Sequence, residues 1–374
     1  MRTLLPRVCD RANISTNNGY NIYNSLRYAS MYLRTFAVLL TGFVFIAGNT
    51  QGSDSPPSPD KLTLRALGQQ DVWAKDMPST KIRAEVTLQP EQAPAASGDY
   101  QLDWISQSQW REELRFANYS RGRIGVKDGY LQKGDLDYLP YFMFEFDSLI
   151  HPKDVLALGA KQAYEKTHRR SQNGAQLICV DVSDRADNAV ERGAHIVRTI
   201  CFDENSGSLV NVDYHGYEHR HTPYVSRIEY SDFRPVQGKL LPFQMRALHG
   251  RQTFMSFKIL EVGNPPNQDS PIYRSRPDWQ FWSQCDDMRI ELKRKPKVFF
   301  QRPDRRREAG DVVFYSVVEP DGSVSHVRVI KGETERLDQA AAVGIQQWLY
   351  SPAVCDGKPV RTELAISVDF WFVD

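Results

Sequence analysis

The stretch "VVEPDGSVSHVRVIKG", from Val317 to Gly332, decides the fold of the C-terminal part of the chain. Apolar and polar residues alternate on both sides of Pro320-Asp321-Gly322, a tripeptide typical of tight turns. The stretch therefore predicts two antiparallel strands joined by a turn. A sheet this small exposes the backbone groups of its edge strands, so what pairs with those edges becomes the central question.

The flanking sequence predicts a small domain over residues 310–374. "GDVVFYSVVEP" begins a first strand at Gly310, and Pro352 ends the helix predicted within "ERLDQAAAVGIQQWLY". From Val360, "VRTELAISVDFWFVD" alternates as a long final strand. The order strand, strand, helix, strand predicts one helix packed across a three-stranded sheet. Its apolar stripe consists of Leu337, Ala341, Ile345 and Trp348.

Residues 310–372 resemble the TonB C-terminal domain family. The resemblance is carried by "PDG", by "LDQAA" from Leu337, by Trp348, by "YSPA" from Tyr350 and by "DGKPV" from Asp356, which occur in this order with compatible spacing. In that family the final strand offers an edge to an extended receptor peptide, which binds by β-strand addition. The resemblance implies a peptide-binding edge made by Arg361, Thr362, Glu363, Leu364, Ala365, Ile366, Ser367, Val368, Asp369 and Phe370.

Alternatives to a receptor remain open for this edge. It could pair with a second copy of the chain or with another part of the same chain. We expect Arg361, Glu363 and Asp369 to act as edge charges that discourage self-pairing. The family resemblance also implies a role as an energy transducer in transmembrane transport. "QRPDRRRE" stands where the family has a Tyr-Pro pair, and no long Pro/Glu/Lys-rich spacer occurs, so we expect binding rather than coupling to a motor.

The segment from Met31 has the layout of a secretory signal peptide. Arg34 precedes an apolar run from Thr35 to Gly48, and small residues and a Ser/Pro/Asp-rich linker follow. We interpret residues 1–50 as an upstream extension plus this leader, and residues 51–60 as a linker. An uncleaved inner-membrane anchor is the alternative. Either interpretation predicts a periplasmic body.

Cysteine usage agrees with an exported protein. Beyond the leader, four cysteines remain, an even number that permits three pairings: Cys179, Cys201, Cys285 and Cys355. Cys179 in "QLICVDV" and Cys201 in "RTICFDE" lie in two strand-like runs joined by a polar loop. Neighbouring antiparallel strands would bring these two together, which would leave Cys285 and Cys355 to pair. Free buried thiols are the alternative.

Residues 61–262 are predicted to form one domain. From about Lys81 to Val262 it alternates in the manner of an antiparallel sheet or barrel, with turns such as Asn173-Gly174 and Gln237-Gly238. Two helices are predicted, one within 61–76 and one within "PKDVLALGAKQAYE" from Pro152. The phrases "YQLDWISQSQWREELRF", "ICFDENSGSLVNVDY" and "RIEYSDFRPVQGKLLPFQM" resemble the outer-membrane lipoprotein carrier (LolA-like) family. That resemblance implies a half-barrel wrapped around a helix, with an apolar concave face for acyl chains.

Two further segments permit two interpretations each. The apolar stretch "YLPYFMFEFDSLI", from Tyr138 to Ile150, would line or close a cavity or else form ordinary core. Residues 263–309 read as a connector whose basic end, "KRKPKVFFQRPDRRRE", would bind anionic lipid or peptidoglycan or else be solvated. The solvated alternative is favoured. The net charge of +1 argues against nucleic acid as a partner.

Evidence for catalysis is sparse. No G-x-S-x-G, H-E-x-x-H, P-loop or G-x-G-x-x-G motif occurs. "YHGYEHRH" would place His215, His219 and His221 on one face of a strand. The three imidazoles would bind zinc in a hydrolase or else form an exposed polar strand or hairpin end, and the second alternative is favoured. We predict a non-enzymatic α+β protein without a cofactor. It joins an antiparallel half-barrel to a TonB-like domain, and its partner is an outer-membrane receptor, another envelope protein or a hydrophobic ligand.

Overall fold

The computed structural model describes residues 56–89, 95–133, 142–158, 162–184, 195–215, 226–274, 276–284, 290–296 and 310–370. Four α-helices occur in these ranges: α1 (Pro59–Gln70), α2 (Phe142–Ile150), α3 (Pro152–Leu156) and α4 (Glu335–Ile345). The predicted leader, including Met31, lies outside the described residues. Within the described ranges, no helix has the length and apolar character needed to cross a membrane.

Thirteen strands form one antiparallel sheet, called the main sheet below. In chain order they are β1 (Thr80–Leu88), β2 (Ala96–Ser106), β3 (Gln109–Phe116), β4 (Tyr119–Val126), β5 (Gly129–Lys133), β6 (Gln162–Gln172), β7 (Ala175–Asp184), β8 (His195–Asp203), β9 (Leu209–Tyr214), β10 (Arg227–Val236), β11 (Lys239–His249), β12 (Gln252–Gly263) and β13 (Gln280–Ser283). Their spatial order is β13-β5-β4-β3-β2-β1-β12-β11-β10-β9-β8-β7-β6.

Local sequence explains this sheet. In β1 the alternate residues Ile82, Ala84, Val86 and Leu88 are buried, as the period of a half-buried strand requires. The predicted turns Asn173-Gly174 and Gln237-Gly238 have positive φ at both central residues, the geometry of a two-residue hairpin turn. A mainly antiparallel α+β fold is thus confirmed, while the half-barrel shape stays a prediction.

Helices α1, α2 and α3 belong to the core of the main sheet, and α1 and α2 both contact β11. One predicted helix was wrong in extent, because α3 ends at Leu156 and β6 begins at Gln162. Pro152 starts a new helical segment, where its missing N–H costs nothing. The following residues alternate and pair with β7 instead. The apolar stretch before it forms α2, in which Met143, Phe146 and Leu149 are buried.

The C-terminal sheet contains β15 (Gly310–Val318), β16 (Val324–Lys331) and β20 (Thr362–Phe370), in the order β16-β15-β20. Helix α4 packs against β15 and β16, and the predicted stripe of Leu337, Ala341, Ile345 and Trp348 is buried in its core. Thr334 caps this helix by accepting a hydrogen bond from the backbone N–H of Leu337. The predicted strand, strand, helix, strand order is therefore observed.

The predicted connector, residues 263–309, contributes strands to both parts of the molecule. β13 adds to the main sheet beside β5, with Trp282 buried. β14 (Glu291–Arg294) pairs with β17 (Leu349–Ser351), and β18 (Ala353–Cys355) pairs with β19 (Lys358–Val360). Ile290 belongs to the C-terminal core. Two apolar residues of this segment explain the difference, since Trp282 is buried against the main sheet and Ile290 in the C-terminal core.

The disulfide Cys179–Cys201 is present and joins directly opposite residues of β7 and β8. Both cysteines are fully buried. Cys355 is also disulfide-bonded. Cys285 lies outside the described residues, so its pairing with Cys355 stays a prediction.

Candidate functional site

The candidate site is the side of β20 that faces away from β15, called the outer edge below. Nine consecutive residue pairs, from Gly310 with Phe370 to Val318 with Thr362, join β15 to β20 without a register shift. In the described part of the chain, β15 is the only strand that pairs with β20. In a strand paired on one side, alternate residues direct their N–H and C=O groups to the other side. The outer edge is therefore regular and long.

The opposite edge of the same sheet, on β16, is irregular. Its pairing with β15 shifts register twice, between Val313 and Phe314 and between Tyr315 and Val317. His326 has a φ of 49°, in the left-handed region. Bulges of this kind bend a strand and interrupt its ladder, which discourages another strand from adding to it.

The side chains of β20 point to two different environments. Leu364, Ile366, Val368 and Phe370 belong to the core shared with α4. Ala365, on the other face, packs against the core of the main sheet. The C-terminal sheet thus lies between α4 and the main sheet, and only the edges of its outer strands remain for a further strand.

Strand β15 carries most of the contact with the main sheet. Tyr315 and Val317 are fully buried and belong to the core of the main sheet, whereas Val312, Phe314 and Val318 belong to the core with α4. A strand that is apolar on both faces is typical of a middle layer. The domain is therefore docked against the main sheet through a continuous buried contact.

Glu363 of β20 connects the two parts by polar contacts. The Tyr315 hydroxyl donates a hydrogen bond of 2.9 Å to Glu363 Oε1. The Arg123 guanidinium of β4 lies 3.7 Å from Glu363 Oε2, and only 12% of the Arg123 side chain and 15% of the Glu363 side chain are exposed. Burial and the neighbouring carboxylate of Glu363 raise the pKa of Tyr315, so its hydroxyl stays neutral and donates.

A buried cluster of charges continues from Arg123 into the main sheet. Arg121 donates two hydrogen bonds to the Asp147 carboxylate, of 2.6 and 2.9 Å, and lies 3.4 Å from Glu112. Arg123 lies 3.7 Å from Asp147 and donates from Nε to Gln132. Burial alone would raise the pKa of Asp147, but Arg121 and Arg123 outweigh it and hold that pKa at about 2.

His151 lies beside this cluster, against the ring of Trp73. Burial lowers the pKa of His151 to about 4, and Asp147 offsets the shift only in part. Arg123, Arg121 and Lys153 lower it further. The imidazole is therefore neutral at neutral pH.

The predicted edge residues divide into two groups. Thr362 to Phe370 form β20, as predicted, whereas Arg361 precedes the strand. The predicted role of Arg361 and Glu363 as solvent-facing edge charges differs from their observed contacts. Arg361 pairs with Glu319 at 3.1 Å and lies over the ring of Trp282, and Glu363 faces the main sheet. The side chain of Asp369 lies outside the described part of the structure, so its predicted role stays a prediction.

The sequence analysis did not predict that one face of the C-terminal sheet is buried against the main sheet. The signal was present in "VVFYSVV", from Val312 to Val318, in which both alternating sets of residues are largely apolar. A run of this kind indicates a strand buried on both faces. Arg121 and Arg123 gave no comparable signal, because charged residues on a strand usually face solvent.

The predicted histidine cluster is described only in part. Strand β9 ends at Tyr214, and His215 follows it with Nε2 2.9 Å from the Thr199 hydroxyl. His219 and His221 lie outside the described residues. No group of three or more metal-ligating side chains occurs in the portion that the structure describes.

Comparison with known families supports the assignment of the last domain. Residues 295–372 match the family model of the Gram-negative bacterial TonB protein C-terminal. The match covers a minority of the chain, and it includes α4, β15, β16 and β20. The sequence resemblance to this family is thereby confirmed for the TonB-like domain. No curated protein sequence matches the chain.

Several solved structures are similar to the larger part of the chain. They include a LolA superfamily protein from Nitrosomonas europaea, with 7% identity, 59% of this chain and 96% of that chain covered, and a TM-score of 0.35. A putative outer membrane lipoprotein-sorting protein domain from Vibrio parahaemolyticus has 8% identity, coverages of 56% and 94%, and a TM-score of 0.36. A DUF1329 family protein from Desulfovibrio piger has 10% identity, coverages of 58% and 95%, and a TM-score of 0.37. No functional conclusion rests on likenesses this distant.

Proposed function

We propose that this chain is a non-enzymatic protein of the cell envelope that binds an extended segment of a partner by β-strand addition to β20. The segment pairs with the outer edge between Thr362 and Val368. The partner is an outer-membrane receptor or another envelope protein, met in the periplasm. The observation that carries the proposal is the unshifted register of β20 beside β15, which presents a regular edge.

The expected affinity follows from the number of backbone hydrogen bonds. A seven-residue edge offers about three or four alternate residues, each with an N–H and a C=O group. A main-chain hydrogen bond stabilises a complex by about 1 kcal/mol net. Six to eight such bonds correspond to a dissociation constant no tighter than about 1 μM, and the loss of translational and rotational freedom on association weakens it further. Side chains of the partner would supply specificity.

Selective N-methylation of the partner peptide tests the proposal. Synthetic peptides from the periplasm-facing N-terminal segments of outer-membrane receptors are the probes, and calorimetry measures binding. In the best binder, every second backbone nitrogen is methylated, in two complementary sets. Because only one set faces β20, we expect that set to weaken binding at least about tenfold while the other set retains it. Equal effects of the two sets would contradict strand addition.

A second candidate function is the carriage of a hydrophobic ligand by the main sheet. The observation in its favour is the large apolar core between the main sheet and helices α1 to α3, which includes the mutually contacting rings of Tyr100, Phe146 and Phe257. Native mass spectrometry after gentle purification checks it. A co-purified lipid supports carriage, and an empty protein argues against it. A role in energy transduction stays a prediction.

A further inference from the structure

We propose that the main sheet is an internal docking surface for the TonB-like domain, and that docking controls the outer edge of β20. The contact is closed by three residues, Arg123, Glu363 and Tyr315, called the clasp below. The consequence for partner binding rests on the proposed function, whereas the docking itself does not. Glu363 of the clasp lies on β20, so the same strand contacts the main sheet and presents the outer edge to a partner.

The apolar part of the docked contact explains why the two parts associate. Tyr315 and Val317 are buried in the core of the main sheet, and Ala365 and Ile330 pack against it. These residues come from all three strands of the C-terminal sheet. A free TonB-like domain would expose this face to water, at a cost proportional to its apolar area. The docked arrangement is therefore the resting state of the chain.

The polar part of the contact explains why docking is specific. The Glu363 carboxylate pairs with the Arg123 guanidinium. That guanidinium also pairs with the Asp147 carboxylate and stacks over the ring of Tyr130, 5.0 Å from its centroid. A buried charge needs all of its partners, and removing one partner leaves an uncompensated charge. The clasp therefore favours one orientation of the domain over others of similar apolar area.

A second contact holds the beginning of β20. The Arg361 guanidinium lies over the ring of Trp282 on β13, 5.0 Å from its centroid, and pairs with Glu319. Trp282 is 2% exposed, so the stacking partner is itself fixed in the core. Arg361 and Glu363 are two residues apart and both contact the main sheet. The start of β20 is thus held against the main sheet by two of its neighbouring side chains.

These contacts explain how docking controls the outer edge of β20. Docking holds β20 against the main sheet through Glu363 and Arg361 and leaves its outer edge as the side for a partner strand. When the domain undocks, β20 loses this support, and the binding-competent population falls. A partner then binds with an apparent affinity reduced by that fraction. By the same linkage, a bound partner stabilises docking.

Thiol labelling of a buried position measures docking without any partner. Val317→Cys places a thiol inside the docked contact, and Ala247→Cys places one in the main-sheet core away from it, since both native side chains are fully buried. Iodoacetamide labelling is read at each position by peptide mass spectrometry. In the Arg123→Met and Glu363→Gln backgrounds, we expect Val317→Cys to label at least about tenfold faster, because a lost buried partner shifts the opening equilibrium. Ala247→Cys is expected to keep its rate.

The matched control is Arg83→Met. It removes an ion pair of the same sheet, between Arg83 and Glu261 at 3.4 Å, in which both side chains are more than half exposed. Exposed pairs contribute little, so we expect no change at either thiol. An unchanged rate at Val317→Cys in both clasp variants would overturn the proposal. Equal acceleration at both thiols would also overturn it, because the clasp would then be only a part of the global fold.

Peptide affinity provides the second arm. The labelling rates of Val317→Cys give the docked fraction of each variant. With the peptide found for the proposed function, a clasp variant whose docked fraction falls to about one tenth is expected to bind about tenfold more weakly, and Arg83→Met to bind unchanged. If the docked fraction falls this far and affinity does not, docking exists without control of the edge, and the proposed coupling is wrong. If no peptide binds the unmodified protein, the proposed function fails, and the docking claim is judged by labelling alone.

Discussion

The two edges of the C-terminal sheet share one neighbour, β15, and differ in how they pair with it. β20 follows β15 through nine residue pairs without a shift, whereas β16 shifts register twice. Both strands have alternating sequences, so composition alone would make them equivalent. Backbone geometry therefore decides whether an edge accepts a further strand, and one domain can contain an edge of each kind.

The difference extends to what lies beneath each edge. Glu363 of β20 reaches the charged cluster of the main sheet through Arg123, while β16 contributes Ile330 to the apolar part of the contact. Helix α4 packs on β15 and β16. Both edge strands share the core with α4, and the edge that we propose for binding adds the polar contact of Glu363 with the main sheet.

The largest expected effect comes from the core that both edges share. Leu337→Ala leaves a cavity beneath α4, where Leu337 is fully buried, and we expect the free energy of unfolding to fall by about 4 kcal/mol. Denaturant unfolding and amide exchange measure it. Both edges should lose protection together. Val343→Ala on the same helix is the control, because Val343 is 60% exposed and its truncation should cost less than about 0.5 kcal/mol.

The next effect is a pH dependence at His151, beside the buried charge cluster that Arg123 connects to Glu363 of β20. His151 has a pKa of about 4 in the folded protein, below the ordinary value of 6.5, because burial disfavours its charged form. Its contribution to stability is complete above pH 6.5 and is lost as pH falls from 6.5 to 4, since only the unfolded chain then binds the proton. We expect a loss of about 3 kcal/mol across this window.

The His151→Leu variant checks the origin of that loss. Its unfolding free energy should be flatter between pH 6.5 and 4 than that of the unmodified protein. Asp147 acts in a lower window, because its folded pKa of about 2 lies below the ordinary 3.8 and its contribution disappears between those values. A variant with an unchanged slope would show that other groups cause the acid sensitivity.

The smallest effect concerns the beginning of β20. Arg361→Ala removes the stacking on Trp282 and the pair with Glu319, whose side chains are 30% and 27% exposed. Water screens a pair this accessible, so we expect a loss of only about 1 kcal/mol. Thermal unfolding measures it. Amide exchange should increase at the start of β20 and stay constant on β16, and the reverse pattern would break the comparison between the edges.

The sequence predicted the elements better than their arrangement. Alternation and turn residues were sufficient to predict β15, β16 and β20, and helical spacing was sufficient to predict α4, because these are local properties. The pairing of Cys179 with Cys201 followed from two neighbouring strands. The register shifts of β16 could not be predicted, because they depend on backbone angles such as the positive φ of His326, which no residue type requires.

The contact between the C-terminal sheet and the main sheet could not be predicted from the sequence pattern for a different reason. Arg123 and Glu363 lie far apart in sequence, and only the folded main sheet brings them within 3.7 Å. The strands β13 and β14 were also missed, because residues 263–309 were interpreted from composition. Trp282 and Ile290 are buried in that segment and carried the missing signal.

Amide hydrogen exchange on β20 and β16, measured with and without a bound peptide, shows which edge a partner strand uses. We predict that a saturating receptor-derived peptide slows exchange at alternate amides between Thr362 and Val368 by at least about tenfold, with no change between Val324 and Lys331. Slowing on β16, or a bound peptide that leaves both strands unchanged, would contradict it.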